Sequence, residues 1–261
     1  GSPSLWDEVM QSHPPRPPDG WARFAHTADV RGKPTTHDCY RRGEGPGVVV
    51  IHEAPGLTSG VIAFGQELVD AGYTVVLPHL FGRVDVAFSP REVLRSLPGI
   101  CVSAEFNKLR MGASTPVAGW LRSLARDLHA ELGGPGVGAI GMCFTGGFAL
   151  AMAVDPATVA PVVAQPSVPF PAGKRRGAAI ELSPAHLATV QRRCAEGRRV
   201  LGIRYAEDPA TGTRFDTLAA ELGEAFVRVE LPGEGHSTLT EQRSQVAVDA
   251  VLSFLRTHLR G

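Results

Sequence analysis

Cysteine, aromatic residues and net charge are all scarce in this 261-residue chain. The four cysteines are far apart, with no Cys-x-x-Cys pair and no Cys/His cluster at zinc-finger spacing, which disfavours a disulfide framework or a structural zinc site. Lysine plus arginine number 26, as do aspartate plus glutamate, so the chain has no general attraction to nucleic acid or to an anionic membrane. A hydrophobic content of 43% excludes a disordered, collagen-like or coiled-coil chain.

Long hydrophobic runs are also missing. The one uncharged stretch long enough to resemble a membrane span, residues 137–154, contains four glycines and is better interpreted as a strand, a turn and a helix. The first residues lack the basic, apolar and small-residue order of a secretory leader. We therefore expect a cytoplasmic protein that binds neither membrane nor nucleic acid.

Short apolar runs alternate along the chain with segments of helical periodicity. The pattern predicts strands at residues 47–51, 73–77, 137–141, 159–164, 200–205 and 225–231. It predicts helices at residues 59–71, 116–132, 144–154, 184–196, 213–222 and 240–259. Because this alternation shows no internal sequence repeat, it favours an α/β fold with a mostly parallel central sheet and helices on both faces.

Two regions fall outside the alternating pattern. Residues 1–22 are rich in proline and lack steady periodicity, so we expect an extended N-terminal arm. Residues 84–115 are irregular and are a candidate lid, since parallel-sheet enzymes carry variable chemistry on loops at strand ends. With no linker to divide the remainder, residues 23–261 are predicted to form one α/β domain.

The sharpest chemical signal is the segment at residues 141–147, Gly-Met-Cys-Phe-Thr-Gly-Gly, between a predicted strand and an apolar helix. It is typical of a nucleophile elbow, in which small neighbours let the chain pass while the central residue takes a strained backbone conformation. The following helix places its positive end near Cys143, which favours a thiolate. The alternative is a buried, unreactive cysteine.

A base and an acid follow at the ends of later predicted strands. His236 lies in a Gly-Glu-Gly-His-Ser segment after the last strand, and its ordinary pKa suits proton exchange at neutral pH. Asp208 follows the preceding strand and would orient the imidazole, with the adjacent Glu207 as the competing acid. The order Cys143, Asp208, His236 is the nucleophile–acid–base order of the α/β-hydrolase fold. Either carboxylate has the alternative of an ordinary turn residue.

These segments resemble the dienelactone hydrolase family, α/β-hydrolases in which a cysteine replaces the usual serine nucleophile. The likeness covers most of the chain, from about residue 47 to residue 259. It rests on the His-Glu-Ala-Pro-Gly segment at 52–56, the Pro-His-Leu-Phe-Gly-Arg segment at 78–83, and the segments of Cys143, Asp208 and His236.

The resemblance implies roles for further residues. Glu53 matches a carboxylate that contacts the resting nucleophile and helps generate the thiolate when substrate arrives. The backbone N–H groups of Ala54 and Phe144 would form the oxyanion hole, as donors at these two strand ends can converge on one oxygen. Arg83 matches an arginine that binds a substrate carboxylate, but Thr240 stands where the family has a second such arginine.

The function that these residues favour is cysteine-dependent hydrolysis of lactones or activated esters through an acyl-thioester intermediate, without a metal or an organic cofactor. One alternative is an isomerase or cyclase of a small metabolite on the same fold. Another is a ligand-binding protein that keeps the fold without turnover. The expected partner is a small-molecule ester or lactone, and the chain is expected to be a monomer or a homodimer.

Overall fold

The computed structural model describes residues 16–102 and 115–260. Most of the predicted arm, residues 1–15, and the last part of the candidate lid, residues 103–114, lie outside the described residues. The end of the arm is anchored, because Trp21 is buried in the core. Its ring packs against Gly65, in the helix Ser59–Asp70.

The centre of the molecule is an eight-stranded sheet in the order β1-β2-β4-β3-β5-β6-β7-β8. Its strands are β1 (Ala22–Val30), β2 (Lys33–Arg42), β3 (Gly47–Ile51), β4 (Thr74–Pro78), β5 (Val137–Met142), β6 (Thr158–Ala164), β7 (Val200–Tyr205) and β8 (Phe226–Leu231). The strands from β3 to β8 pair in parallel, and β1 and β2 pair antiparallel at one edge. The prediction of a mostly parallel α/β-hydrolase sheet is confirmed.

Helices cover both faces of this sheet. They are α1 (Ser59–Asp70), α2 (Pro90–Val102), α3 (Val117–Leu132), α4 (Gly146–Met152), α5 (Lys174–Gly177), α6 (Pro184–Ala195), α7 (Arg214–Leu222) and α8 (Gln245–Leu259). Short 3-10 turns lie at Cys143–Thr145, Pro209–Thr211 and Gly223–Ala225. In the part of the chain that the structure describes, no helix is both long and apolar enough to cross a membrane.

Alternating side chains of β3 show how the two layers are built. Val48 and Val50 pack with α1 and α8 on one face, whereas Val49 and Ile51 pack with α3 and α4 on the other. All of these side chains are fully buried. A strand buried on both faces is an uninterrupted apolar run, which is why the central strands could be located from the sequence.

The antiparallel hairpin of β1 and β2 was not predicted. Its residues are largely exposed or half-buried, so the sequence there lacks the apolar runs that mark the central strands. The hairpin turns at Arg31 and Gly32, both with positive φ, and β2 pairs with β4 through Cys39 and Pro78. The fold thus begins with an edge hairpin that the periodicity of the sequence does not reveal.

Most of the other predicted strands and helices end within one or two residues of the observed bounds, but two segments depart further from the prediction. Helix α2 occupies much of the described part of the candidate lid, which was expected to be irregular. Helix α8 begins at Gln245 rather than near residue 240, because Ser244 caps it by accepting a hydrogen bond from Ala247 N–H. The residues before Ser244 instead form a loop that approaches the carboxyl ends of the central strands.

Candidate active site

Cys143 occupies a sharp turn at the carboxyl end of β5. Its φ is 52°, a left-handed conformation that few residues other than glycine adopt. The flanking glycines are required sterically: a Cβ at Gly141 would lie 2.2 Å from the carbonyl oxygen of Thr145, and one at Gly146 would lie 2.9 Å from Pro166 Cα. The backbone of an elbow is therefore present where the sequence placed it.

Thr145 supports this turn from inside. Its side chain is fully buried. The hydroxyl accepts the Met142 N–H at 3.1 Å, and lies 3.0 Å from the Met142 carbonyl oxygen and 3.2 Å from that of Ile51. It thereby joins the elbow to the end of β3, a contact that the sequence pattern did not indicate.

The structure brings His236 against Asp208. His236 Nδ1 lies 2.6 Å from Asp208 Oδ2, and the other carboxylate oxygen accepts the Ala210 N–H at 2.9 Å. Asp208 is buried, whereas the neighbouring Glu207 is exposed. Of the two acids that the sequence offered, Asp208 is therefore the one in contact with the imidazole.

The imidazole of His236 also lies close enough to Cys143 to interact with it electrostatically, which brings the three side chains together. Burial alone lowers the pKa of His236, but the hydrogen bonds and negative charges of Asp208 and Cys143 outweigh it and raise that pKa to about 10. The imidazole of His236 thus keeps its proton at neutral pH.

A second side chain contacts the sulfur, and it was not predicted from the sequence. Ser167 Oγ lies 3.2 Å from Cys143 Sγ, and the Ser167 N–H donates to the Cys143 carbonyl oxygen at 3.2 Å. Ser167 follows β6, the strand next to β5. No sequence motif marks Ser167, because its contact with Cys143 depends on the adjacency of the carboxyl ends of β5 and β6.

Glu53 is buried against the loop that carries His236, with 3% of its surface exposed. Ser237 Oγ donates to Oε2 at 3.2 Å, and Thr240 Oγ1 donates to Oε1 in a close contact. Burial raises the pKa of Glu53, although both hydroxyls and the charge of His236 oppose the rise. In this structure the carboxylate faces hydroxyls, while the sulfur of Cys143 lies against Ser167 and His236.

Replacing Glu53 with glutamine is expected to stabilise the fold at neutral pH. A folded-state pKa above the usual value of about 4.3 means that the folded protein loses stability as pH rises through that range, and glutamine cannot ionise. We expect a melting temperature about 2–4 °C above the parent at pH 7, the shift that about 1 kcal/mol produces in a domain of this size, and a smaller gain at pH 4. Thermal unfolding at both pH values measures it.

The control is Glu44→Gln, which changes an exposed acid on the turn before β3 and should give no pH-dependent gain. An equal gain for Glu53→Gln at pH 4 and pH 7 would contradict an ionisation that costs stability.

His52 fixes the backbone beside Glu53. Its ring is fully buried, accepts the Leu80 N–H at Nε2 over 3.0 Å, and donates from Nδ1 to the Glu53 carbonyl oxygen over 3.0 Å. Burial lowers the pKa of His52 to about 3, so the ring stays neutral in this tautomer. The ring therefore ties the loop after β3 to the loop after β4.

Ala54, one of the two predicted oxyanion donors, follows this fixed loop. The other, Phe144, follows Cys143 at the end of β5, and β3 pairs with β5 in a register that sets Ile51 beside Gly141. Both predicted donors therefore lie at neighbouring strand ends. Their role as an oxyanion hole remains a prediction.

Arg83 lies on the loop after β4 with 61% of its side chain exposed. Its guanidinium is 3.3 Å from Glu92 Oε1, which Arg95 also approaches at 3.1 Å. A substrate carboxylate would have to compete with Glu92 for this arginine. Among the residues that the structure describes, no group of three or more His, Cys, Asp or Glu side chains is placed to hold a metal ion.

Comparison with known proteins agrees with this geometry. The model of the dienelactone hydrolase family matches residues 39–170, about half of the chain. A search of curated proteins gave no match. Among solved structures, the dienelactone hydrolase of Anabaena variabilis is similar, with 17% identity, a TM-score of 0.58, and coverage of 92% of this chain and 100% of that one.

Two further structures share the fold. An α/β hydrolase from Penicillium has 14% identity and a TM-score of 0.63, over 92% of this chain and 100% of its own. A dienelactone hydrolase-like promiscuous phosphotriesterase from metagenomic libraries has 20% identity and a TM-score of 0.55, over 89% and 95%. Because the family match spans the elbow as well as the loops that carry Glu53 and Arg83, this chain belongs to the dienelactone hydrolase family and is a hydrolase of ester bonds.

Proposed function

We propose that the protein hydrolyses lactones or activated esters with Cys143 as a covalent nucleophile, through an acyl-thioester. The observation that carries this proposal is the 2.6 Å contact of Asp208 with His236, whose imidazole interacts with a cysteine in an elbow conformation. A nucleophile in contact with a base that is itself oriented by a carboxylate is the arrangement that covalent acyl transfer requires. No step of this chemistry needs a metal or an organic cofactor.

Acylation begins when substrate binds beside Cys143. The thiolate attacks the carbonyl carbon, and the developing oxyanion lies against the Ala54 and Phe144 amides. As the tetrahedral intermediate collapses, the carbon–oxygen bond of the leaving group breaks and His236 donates its proton to the departing oxygen. Asp208 keeps Nδ1 protonated throughout, so the proton that is transferred is the one on Nε2.

Deacylation uses the neutral imidazole that acylation leaves behind. His236 removes a proton from water as the water attacks the thioester carbon, and collapse of the second intermediate expels the Cys143 thiolate. The acid is released and the imidazolium–thiolate pair is restored. We also propose a cytoplasmic location, because a thiol nucleophile needs a reducing compartment and the described cysteines Cys39, Cys143 and Cys194 are all free.

The hydrolytic assignment is tested by following acid release in a pH-stat from three substrates. Two are an aryl ester and an anilide of the same acyl group, and the third is an enol lactone. The ester and the lactone are expected to yield one acid per substrate. The anilide is expected to react on the order of a thousandfold more slowly, because its amine is a poor leaving group for a thiolate adduct. Conversion of the lactone to an isomer without acid release would instead favour the isomerase alternative.

Arg83→Ala tests whether this side chain binds a substrate carboxylate. We expect KM for a carboxylate-bearing lactone to rise about tenfold, the cost of losing one charge-assisted hydrogen bond, with no change for a neutral aryl ester. Arg95→Ala is the control, since Arg95 shares Glu92 as a partner but stands outside the family motif. Equal KM changes for both substrates would contradict the assignment.

A further inference from the structure

We propose that Ser167 is a further catalytic residue, whose hydroxyl donates a hydrogen bond to the Cys143 thiolate. The inference deepens the proposed function and rests on Cys143 being the nucleophile. Its basis is the 3.2 Å separation of Ser167 Oγ and Cys143 Sγ. The contact joins residues 24 positions apart in the chain, and neither the family motifs nor the catalytic triad includes Ser167.

The direction of this hydrogen bond follows from the chemistry of the pair. A thiolate has lone pairs and no proton, so both of its neighbours must donate to it. His236 donates from its protonated ring, and the Ser167 hydroxyl supplies the second donor. Four other ionisable side chains surround the pair. Asp208 lies behind the imidazole and Glu53 against the histidine loop, while Arg214 contacts residues 166–169 and Glu181 lies against Gly147.

The backbone holds Ser167 rigidly in this position. Ser167 is 8% exposed, and its N–H donates to the Cys143 carbonyl oxygen at 3.2 Å. The preceding Pro166 packs so closely on Gly146 that no Cβ could fit between them. The backbone at Ser167 is therefore fixed to the elbow on two sides, so the hydroxyl needs little ordering to reach the sulfur.

A buried arginine holds the same segment from behind. The guanidinium of Arg214, 1% exposed, donates to the Pro166 carbonyl oxygen at 3.4 Å and to that of Pro169 in a closer contact. It also donates to the carbonyl oxygens of Ala210 and Thr211, at 3.1 and 3.2 Å, in the turn after Asp208. Arg214 thus couples the position of Ser167 to that of the catalytic acid.

Such a donor acts at both ends of the reaction. Before attack, it stabilises the thiolate over the thiol, which enlarges the reactive fraction of Cys143 at mildly acidic pH. After acylation the sulfur carries no negative charge, so the hydrogen bond is weak. The hydrogen bond strengthens again as the second tetrahedral intermediate collapses and negative charge returns to the sulfur. The stabilised thiolate is then a better leaving group.

The test is the pH dependence of Cys143 alkylation by iodoacetamide, read by peptide mass spectrometry in the full chain. For Ser167→Ala we expect the midpoint of the alkylation profile to move up by about one pH unit, the effect of one hydrogen bond to a charged group. Acylation by an aryl ester at pH 6 should fall about tenfold. Ser167→Thr keeps the hydroxyl. It should return the midpoint to within about half a pH unit of the parent's and the acylation rate to within about threefold.

Two further variants keep the test decisive. Ser167→Gly removes the same hydroxyl and must shift the profile as Ser167→Ala does. Ser123→Ala removes a half-buried hydroxyl that contacts His26 instead, and should leave the profile unchanged. Alkylation profiles of Ser167→Ala and Ser167→Gly that coincide with the parent's would overturn the proposal. Because alkylation needs no ester turnover, a shifted profile in a protein that releases no acid would uphold Ser167 and reject the hydrolytic function.

Discussion

Replacing Cys143 with alanine is expected to lower kcat for an activated aryl ester by about 10⁵- to 10⁶-fold, the cost of deleting a nucleophile that works as one unit with its base. Alanine leaves His236 and Asp208 in place but removes the sulfur that is proposed to carry the acyl group. Steady-state kinetics at pH 7.5 measures the loss.

Cys194→Ala is the control for this variant. Cys194 is also free and buried, but it belongs to α6 and packs among apolar side chains, away from the carboxyl ends of the strands. It should retain the parent's kcat. Loss of activity in both variants, or in neither, would contradict the assignment of Cys143.

Asp208→Asn is expected to reduce kcat by about 10³- to 10⁴-fold while leaving the fold intact. An amide in place of the carboxylate can donate to Nδ1, which would put the ring proton on the wrong nitrogen. It also removes the negative charge that helps to hold the pKa of His236 at about 10, so the imidazolium beside the thiolate is lost at lower pH. Steady-state rates from pH 6 to 10 measure both effects.

Glu207→Gln, one position away, is the matched control. Glu207 is exposed, whereas Asp208 is buried 2.6 Å from the imidazole. The control should keep the parent's rate and pH profile. A larger loss in Glu207→Gln than in Asp208→Asn would show that the wrong carboxylate has been assigned to the histidine.

The central fold was predictable because its strands are buried on both faces. Residues 47–51 and 200–205 were placed with the bounds that the structure shows, since short, largely apolar runs rich in β-branched residues and bounded by turn residues are typical of buried strands. The β1–β2 hairpin was missed for the opposite reason. It is an edge element with mostly exposed or half-buried side chains, so its formation depends on pairing with β4 rather than on a local pattern.

The same division applies to the site. The positions of Cys143 and His236 could be predicted because glycines mark the turns that carry them, and the position of Asp208 because it follows the neighbouring strand. The choice between Asp208 and Glu207 needed the structure, since adjacent residues in one turn point in different directions. Ser167, His52 and Arg214 escaped prediction because each acts through contacts between loops that are distant in the chain.

The measurement that tests covalent cysteine catalysis most directly is the intact mass of the protein after rapid mixing with an activated aryl ester, with peptide mapping of any adduct. We expect a mass gain equal to the acyl group, located on the peptide that contains Cys143, formed during a burst of product and absent in Cys143→Ala. Equal product release by both proteins, with no gain in mass, would contradict the triad and favour a non-covalent enzyme or a binding protein.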